Sequence, residues 1–249
     1  FEAEQIIFER IDNGSYQISN LDSSNRHRFS PLHLNDTDRS GSGNGTYVLT
    51  QVSDRHGNGY RIVYNEDTGL PHTVIDELGR EIWFEFDNLS PLTQIPVYRL
   101  TSMGSYNDNL PEGRELLVRY RYDDNGDLVA VEDAEGFVHR RFGYRRHMMI
   151  RHQTTAGLNT YYQYDHYNPQ GRVLRSYTDN GEEWRFSYAD GHTQITDALG
   201  RSEHLYYDHH GEVVKKVFAD GSSILTERDA LGRPIKITDE MGRETRYRY

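Results

Sequence analysis

The chain has no cysteine. Disulfide staples and thiolate metal sites are therefore excluded. That composition is compatible with synthesis in a reducing cytoplasm and leaves later export open. No apolar run approaches the roughly 20 residues of a membrane helix, and no secretory leader is visible. Positive charge is in deficit, with 28 Lys and Arg against 39 Asp and Glu and a net charge of −11. Such a surface repels phosphate backbones and anionic headgroups, so neither nucleic acid nor a membrane span is expected. Amphipathic helical periodicity is also missing.

What the chain has instead is tyrosine and glycine, 19 and 22 residues. A Tyr-rich, Gly-rich sequence poor in helix formers is a β composition. Tyrosine packs its ring while leaving its hydroxyl to water, which suits a sheet with one wet face.

Periodicity is the strongest signal. One turn series reads Asp-x-x-Gly, often followed by Arg: Asp76–Arg80, Asp197–Arg201 and Asp239–Arg243. Weaker copies lie at Asp54–Gly57, Asp133–Gly136, Thr154–Gly157 and Ala219–Gly221, with a shifted copy at Asp179–Gly181. The second series reads Tyr-Asp-x-x-Gly, at Tyr122–Gly126 and Tyr207–Gly211. A longer version spans Tyr164–Gly171, a shorter one Tyr188–Gly191, and Arg228–Gly232 lacks the Tyr. Runs of corner glycines recur at 20 or 21 residues, at Gly136 and Gly157, at Gly200, Gly221 and Gly242, and at Gly191, Gly211 and Gly232. Each repeat therefore holds two turns and two strand slots of about seven residues. The Asp carboxylate accepts backbone N–H groups of its own turn, and Gly supplies the positive φ of a tight reversal. Between turns the residues alternate, as in Tyr60/Ile62/Tyr64, Ile82/Phe84/Phe86 and Trp184/Phe186/Tyr188, which is the strand period.

The expected fold is thus all-β, a repetitive antiparallel hairpin array forming a spiralling sheet. Residues 1–46 should form a leading hairpin (Gln5–Arg10 and Ser15–Asn20) and a loop at Asn35–Gly45. Residues 47–249 should form the array, with an insertion at about 88–117, where the rhythm lapses and prolines gather. The chain begins at Phe1 and stops in mid-strand at Thr245–Tyr249, so it reads as a piece of a longer polypeptide with strand edges open to further pairing. A fold-level rival is a β-propeller, since two repeats make about one blade; the blade-specific aromatic signatures of that fold are missing.

The two interleaved series resemble those of the YD-repeat, or Rhs-repeat, proteins. The similarity is strongest over Leu117–Met149 and continues through the Asp-Ala-Leu-Gly-Arg copies to Tyr249, about four-fifths of the chain. The resemblance implies a sheet that spirals into a hollow shell. In bacterial Rhs proteins and the similar component of insecticidal Tc toxins such a shell encloses a C-terminal toxin, and many bacterial members leave the cell by type VI secretion. The related animal teneurins use it in adhesion. The implied partners are the remaining repeats and toxin domain of the parent polypeptide, and a secretion apparatus; the implied location is secreted. Cargo-bearing members end the array with a self-cleavage motif of the Asp-Pro-x-Gly kind. Asn168-Pro169-Gln170-Gly171 has Asn for Asp and lies mid-array, so no cleavage role is assigned to it.

Other motifs are better explained by structure than by chemistry. Asp123–Asp127 is rich in oxygen ligands, but its Gly126 stands fourth rather than sixth, so a repeat turn is expected rather than a calcium loop. His204, His209 and His210, or His147 and His152, lack the helical spacing of a zinc site. Gly41–Gly45 lacks the helix that a dinucleotide loop requires. No nucleophile elbow, P-loop or isolated acid pair appears. No catalytic, cofactor or metal residue is therefore assigned, no cofactor is expected, and the chain is read as no enzyme. A structural shell segment is the first expectation. A carbohydrate- or protein-binding adhesion module, using exposed aromatics and loops, is the second, and a glycan-cleaving enzyme the third.

Overall fold

The computed structural model describes residues 6–11, 14–20, 25–32, 46–89, 97–107, 109–111 and 113–249. Its residues cluster into two units, 1–138 and 139–249.

The first unit runs through β1 (Ile6–Arg10), β2 (Tyr16–Asn20), β3 (Arg26–Pro31), β4 (Tyr47–Ser53), β5 (Gly59–Tyr64), β6 (Pro71–Asp76), β7 (Glu81–Asn88), β8 (Tyr98–Tyr106), β9 (Arg114–Tyr122) and β10 (Leu128–Asp133). Each strand pairs antiparallel with the next. The second unit repeats this meander through β11 (Val138–Arg145), β12 (Met148–Gln153), β13 (Asn159–Tyr164), β14 (Val173–Thr178), β15 (Glu183–Ala189), β16 (His192–Asp197), β17 (Ser202–Tyr207), β18 (Val213–Val217), β19 (Ser223–Arg228), β20 (Pro234–Thr238) and β21 (Glu244–Arg246). Here too every strand pairs only with its neighbours in sequence. The fold is all-β, and no α-helix occurs among the described residues.

Few side chains are buried, which is the consequence of strands laid side by side. Ile75, Trp83 and Ala130 are the buried hydrophobic residues among those described, and Trp83 is only 4% exposed. Its indole Nε1–H donates to the Ser105 carbonyl at 3.0 Å. Gly104 lies opposite Trp83 in the ladder. A Cβ there would meet Trp83 Cζ2 at 2.4 Å and the Glu115 carbonyl oxygen at 1.9 Å. Glycine is what lets three backbones and one indole stack so closely.

The stretch at about 88–117, expected as an insertion, carries ladder strands. β8 pairs with β7 on one side and β9 on the other. The metre lapses because the corner between β8 and β9 closes from Asn107 to Gly113 instead of through Asp-x-x-Gly. The leading hairpin, β1 with β2, is observed and continues into β3. The loop expected at Asn35–Gly45 lies outside the described residues.

Candidate functional site

The repeated corner is the local unit from which everything else is built. Its backbone N–H of Asp donates to the carbonyl four residues on, and the Gly N–H donates back to the Asp carbonyl. At Asp239 these distances are 3.0 and 2.9 Å, and at Asp208 they are 3.0 and 3.1 Å. One carboxylate oxygen accepts the N–H groups two and four residues ahead, at 3.0 and 2.8 Å for Asp239. Where Arg follows Gly, its Nε–H donates to the other oxygen, as in Arg80–Asp76 at 2.6 Å and Arg233–Asp229 at 2.8 Å. The glycine sits at φ near +80°, for example 78° at Gly242 and 83° at Gly211. The two turn series, distinct in sequence, therefore share one hydrogen-bonded corner, a type I turn closed by a left-handed residue.

Those bonds favour the ionised carboxylate. The backbone N–H of Glu212 holds Asp208 below the usual aspartate range, and the Arg233 side chain does the same for Asp229.

What separates the series is the residue before the Asp. Tyrosine hydroxyls were expected to face water; five of them donate to backbone carbonyls instead. Tyr64 binds Leu49 O at 2.8 Å, Tyr122 Leu100 O at 2.9 Å, Tyr164 Met149 O at 2.8 Å, Tyr188 Val173 O at 2.8 Å and Tyr249 Pro234 O at 3.0 Å. The reason lies in the register. The β14–β15 pairing holds three registered pairs, Tyr177–Glu183 to Arg175–Arg185, and stops short of Tyr188. β4–β5 and β12–β13 stop at the same place. Beyond it the Tyr hydroxyl spans the gap between the two strands. β16–β17 keeps five pairs, and there the Tyr207 N–H reaches Gly191 O directly at 2.9 Å. At the equivalent point of β18–β19 stands Arg228, which donates to Gly232 O at 2.9 Å.

Bulges accompany three of these tyrosines, Tyr64, Tyr122 and Tyr164, and the equivalent Tyr207 and Arg228, while Tyr188 has none. His72, Val129, Leu174, Val214 and Ile235 are each the extra residue opposite a Tyr-type corner, between pairs such as Gln163–Arg175 and Tyr164–Val173. A bulge adds local twist. Arginine planes cover some of the rings, Arg172 over Tyr188 at 4.6 Å and Arg233 over Tyr249 at 4.6 Å.

The motifs weighed for other chemistry fall into place as corner parts. The Asp123 carboxylate accepts Asn125 and Asp127 N–H groups at 2.9 and 3.0 Å. Asn168–Gly171 is a tight turn closed by Gly171 N–H to Asn168 O at 2.8 Å. His204 Nδ1 lies 3.0 Å from His192 Nε2, rather than joining His209 and His210, whose rings lie tilted at 44° with centroids 3.8 Å apart. His152 meets the Tyr162 hydroxyl at 3.0 Å, while His147 sits in the β11–β12 turn. Among the described residues no group of three His, Cys, Asp or Glu is placed to hold a metal. Gly41–Gly45 lies outside the described residues.

A concavity of about 1440 Å³ opens over β17–β20. Its acids are already engaged: Asp208 and Asp229 in their own corners, Glu212 with Arg228 at 3.5 Å and Glu227 with Lys236 at 2.6 Å. A catalytic pair would need to stand apart from such partners.

No protein-family model matches the chain. Toxin protein Tse5 of Pseudomonas aeruginosa is 34% identical over 216 residues, covering 82% of this chain and 15% of that protein. Probable deoxyribonuclease RhsA of Dickeya dadantii is 37% identical over 139 residues, covering 52% of this chain and 9% of that protein. The chain belongs to the Rhs/YD-repeat family. Double-stranded DNA deaminase toxin A of Burkholderia cenocepacia is a further relative, 29% identical over 66% of this Rhs chain and 12% of its own length. The Rhs/YD segment thus spans between 9% and 15% of these three relatives. Among solved structures, a TcdB2–TccC3 complex without its hypervariable C-terminal region aligns with 98% of the chain and 18% of its own, at a TM-score of 0.37 and 13% identity.

Proposed function

We propose that this Rhs/YD segment is a wall element of a toxin protein, enclosing a C-terminal toxin of the parent polypeptide until delivery to a target cell. Its partners are then the remaining repeats, the toxin domain and a secretion apparatus, and the parent is secreted by a system such as type VI. One observation carries the reading: the corner, bulge and tyrosine bond recur in phase along both units, so side chains that elsewhere do chemistry are consumed in holding strands together. The nuclease and deaminase names of relatives belong to much longer proteins, so no catalytic role is assigned to these residues.

The test is protease challenge of the full-length parent. Enclosure predicts that the toxin domain survives digestion while the native wall is intact and is cut once the wall is unfolded by denaturant. Cleavage of the toxin at equal rates in both conditions refutes it. The adhesion reading draws on exposed aromatics such as Trp184, 45% exposed; absence of glycan binding at millimolar concentration removes its carbohydrate form.

A further inference from the structure

The basic residues of the second unit divide into two groups. Most are neutralised at home: Arg175 and Arg185 by Glu183, Arg201 by Asp197, Lys216 by Glu203, Arg233 by Asp229, Lys236 by Glu227 and Arg243 by Asp239. The β11–β12 hairpin is different. Between Glu135 and Asp165 the sequence holds no acidic residue and five arginines, Arg140, Arg141, Arg145, Arg146 and Arg151. In a chain of net charge −11 this is an island of opposite sign. Arg145 lies over the Tyr167 ring at 4.1 Å, and Arg151 feels Asp179, which binds Asn159. Among the described residues, Arg140, Arg141 and Arg146 make no ion pair, and all three are exposed.

The geometry gathers four of the five, leaving Arg140 on the opposite face. Arg141 pairs with Gln153, Gly143 with Arg151 and Arg145 with Met148. Alternate residues share a face, so Arg141, Arg145 and Arg151 rise from one side. Gly143 leaves room there for the Arg151 side chain, whose Nε lies 3.9 Å from where a Cβ would stand. Arg146 is at the tip.

A second, independent observation concerns that tip. Arg146 and His147 lie at φ of 52° and 64°, the only non-glycine residues with positive φ among those described. The other positive-φ positions are glycines. A two-residue turn of this kind favours Asn-Gly. Keeping two cation-type side chains in a conformation that disfavours them is the sort of local strain found at functional positions.

We propose that the β11–β12 hairpin is a docking site for a short acidic peptide segment of a partner protein, read by the Arg141, Arg145 and Arg151 guanidiniums of one face together with Arg146 at the tip. Guanidiniums present planar, fixed donors that match carboxylates. A short acidic segment experiences mainly the local field, because screening at physiological salt acts over about 8 Å. Long polyanions such as nucleic acid, and anionic membranes, also meet the negative remainder of the chain and are disfavoured. The inference is independent of enclosure, since it concerns an exposed hairpin and not the toxin.

The probe is a fluorescent peptide of alternating Asp and Ser, titrated by anisotropy against the chain, with the Asn-for-Asp peptide as control. The acidic peptide should bind, weaken with added salt, and lose affinity on the order of tenfold in the triple variant Arg141→Gln, Arg145→Gln, Arg146→Gln, since exposed ion pairs each contribute a factor of a few. The paired control Arg201→Gln, Arg243→Gln should bind as the parent does. Hydrogen exchange of the unmodified chain with the peptide should show protection at residues 139–152, an outcome that does not depend on any variant folding. The proposal fails if the triple variant binds unchanged, if protection appears elsewhere, or if a DNA duplex or phosphatidylserine vesicle of matched charge binds more tightly than the peptide.

Discussion

The Tyr188 hydroxyl gives the sharpest way to weigh the tyrosine bonds. Replacing Tyr188 with Phe keeps the ring, and so keeps its packing under Arg172, 4.6 Å from the ring centre. It removes only the bond to Val173 O, 2.8 Å long. A neutral hydrogen bond between partly buried groups contributes about 0.5–1.5 kcal/mol net. The carbonyl left behind lies at the end of a ladder and regains water at some cost, so about 1 kcal/mol is expected. For a chain of this size that corresponds to a fall of roughly 2–4 °C in melting temperature. In an array where each hairpin touches only its neighbours, the loss should be local, with faster amide exchange in β14 and β15 and little change in the first unit. Tyr60→Phe is the control, because Tyr60 is exposed and makes no such bond. The experiment is calorimetry with exchange mass spectrometry. Equal stability of the parent and Tyr188→Phe, or equal loss in Tyr60→Phe, would refute the assignment of these hydroxyls to strand closure.

Other outcomes follow from the same geometry. Gly104→Ala should destabilise by about 3 kcal/mol or more, because its Cβ meets backbone and indole, whereas Gly200→Ala, with open space around it but φ at 80°, should cost about 1–2 kcal/mol of backbone strain alone; equal losses in chemical denaturation would contradict this. Burial raises the Tyr64, Tyr164 and Tyr188 hydroxyls above the usual value of 10.0. The folded state therefore prefers the neutral phenol, and that stability is present below pH 10 and lost as pH rises further; Tyr-to-Phe variants should flatten this alkaline limb of a stability–pH curve. The corner aspartates, depressed below 3.8 as at Asp208 and Asp229, act in the opposite direction. Their contribution is present above about pH 4 and lost as pH falls below it, so melting temperature should hold steady near neutrality and fall in acid. The double change Arg146→Asn, His147→Gly should raise stability by roughly 1 kcal/mol by relieving positive φ, and should weaken acidic-peptide binding as Arg146 is lost.

Much of this architecture was legible in the chain, and the parts that were not have specific causes. Asp and Gly at fixed spacing predict the corners because the carboxylate and the positive φ act within four or five residues. The corners without that signature were missed: Asn65–Gly69, where Asn replaces Asp and the spacing is longer, and Arg146–His147, where no glycine marks the reversal. The tyrosines were recognised as strand residues, but their hydroxyl bonds depend on where each ladder stops pairing, a long-range property. The bulges were hidden for the same reason. The charge island at 136–164 is plain in the sequence once acidic residues are sought by their absence; that Arg140, Arg141 and Arg146 make no ion pair is visible only when the neighbouring strands are in place.

The most direct trial of the account is electron cryomicroscopy of the full-length parent polypeptide. The account predicts a closed wall in which this segment's strands run side by side, with additional density for the toxin inside. A segment lying open to solvent, with the toxin folded as a separate body outside it, would contradict the proposed role.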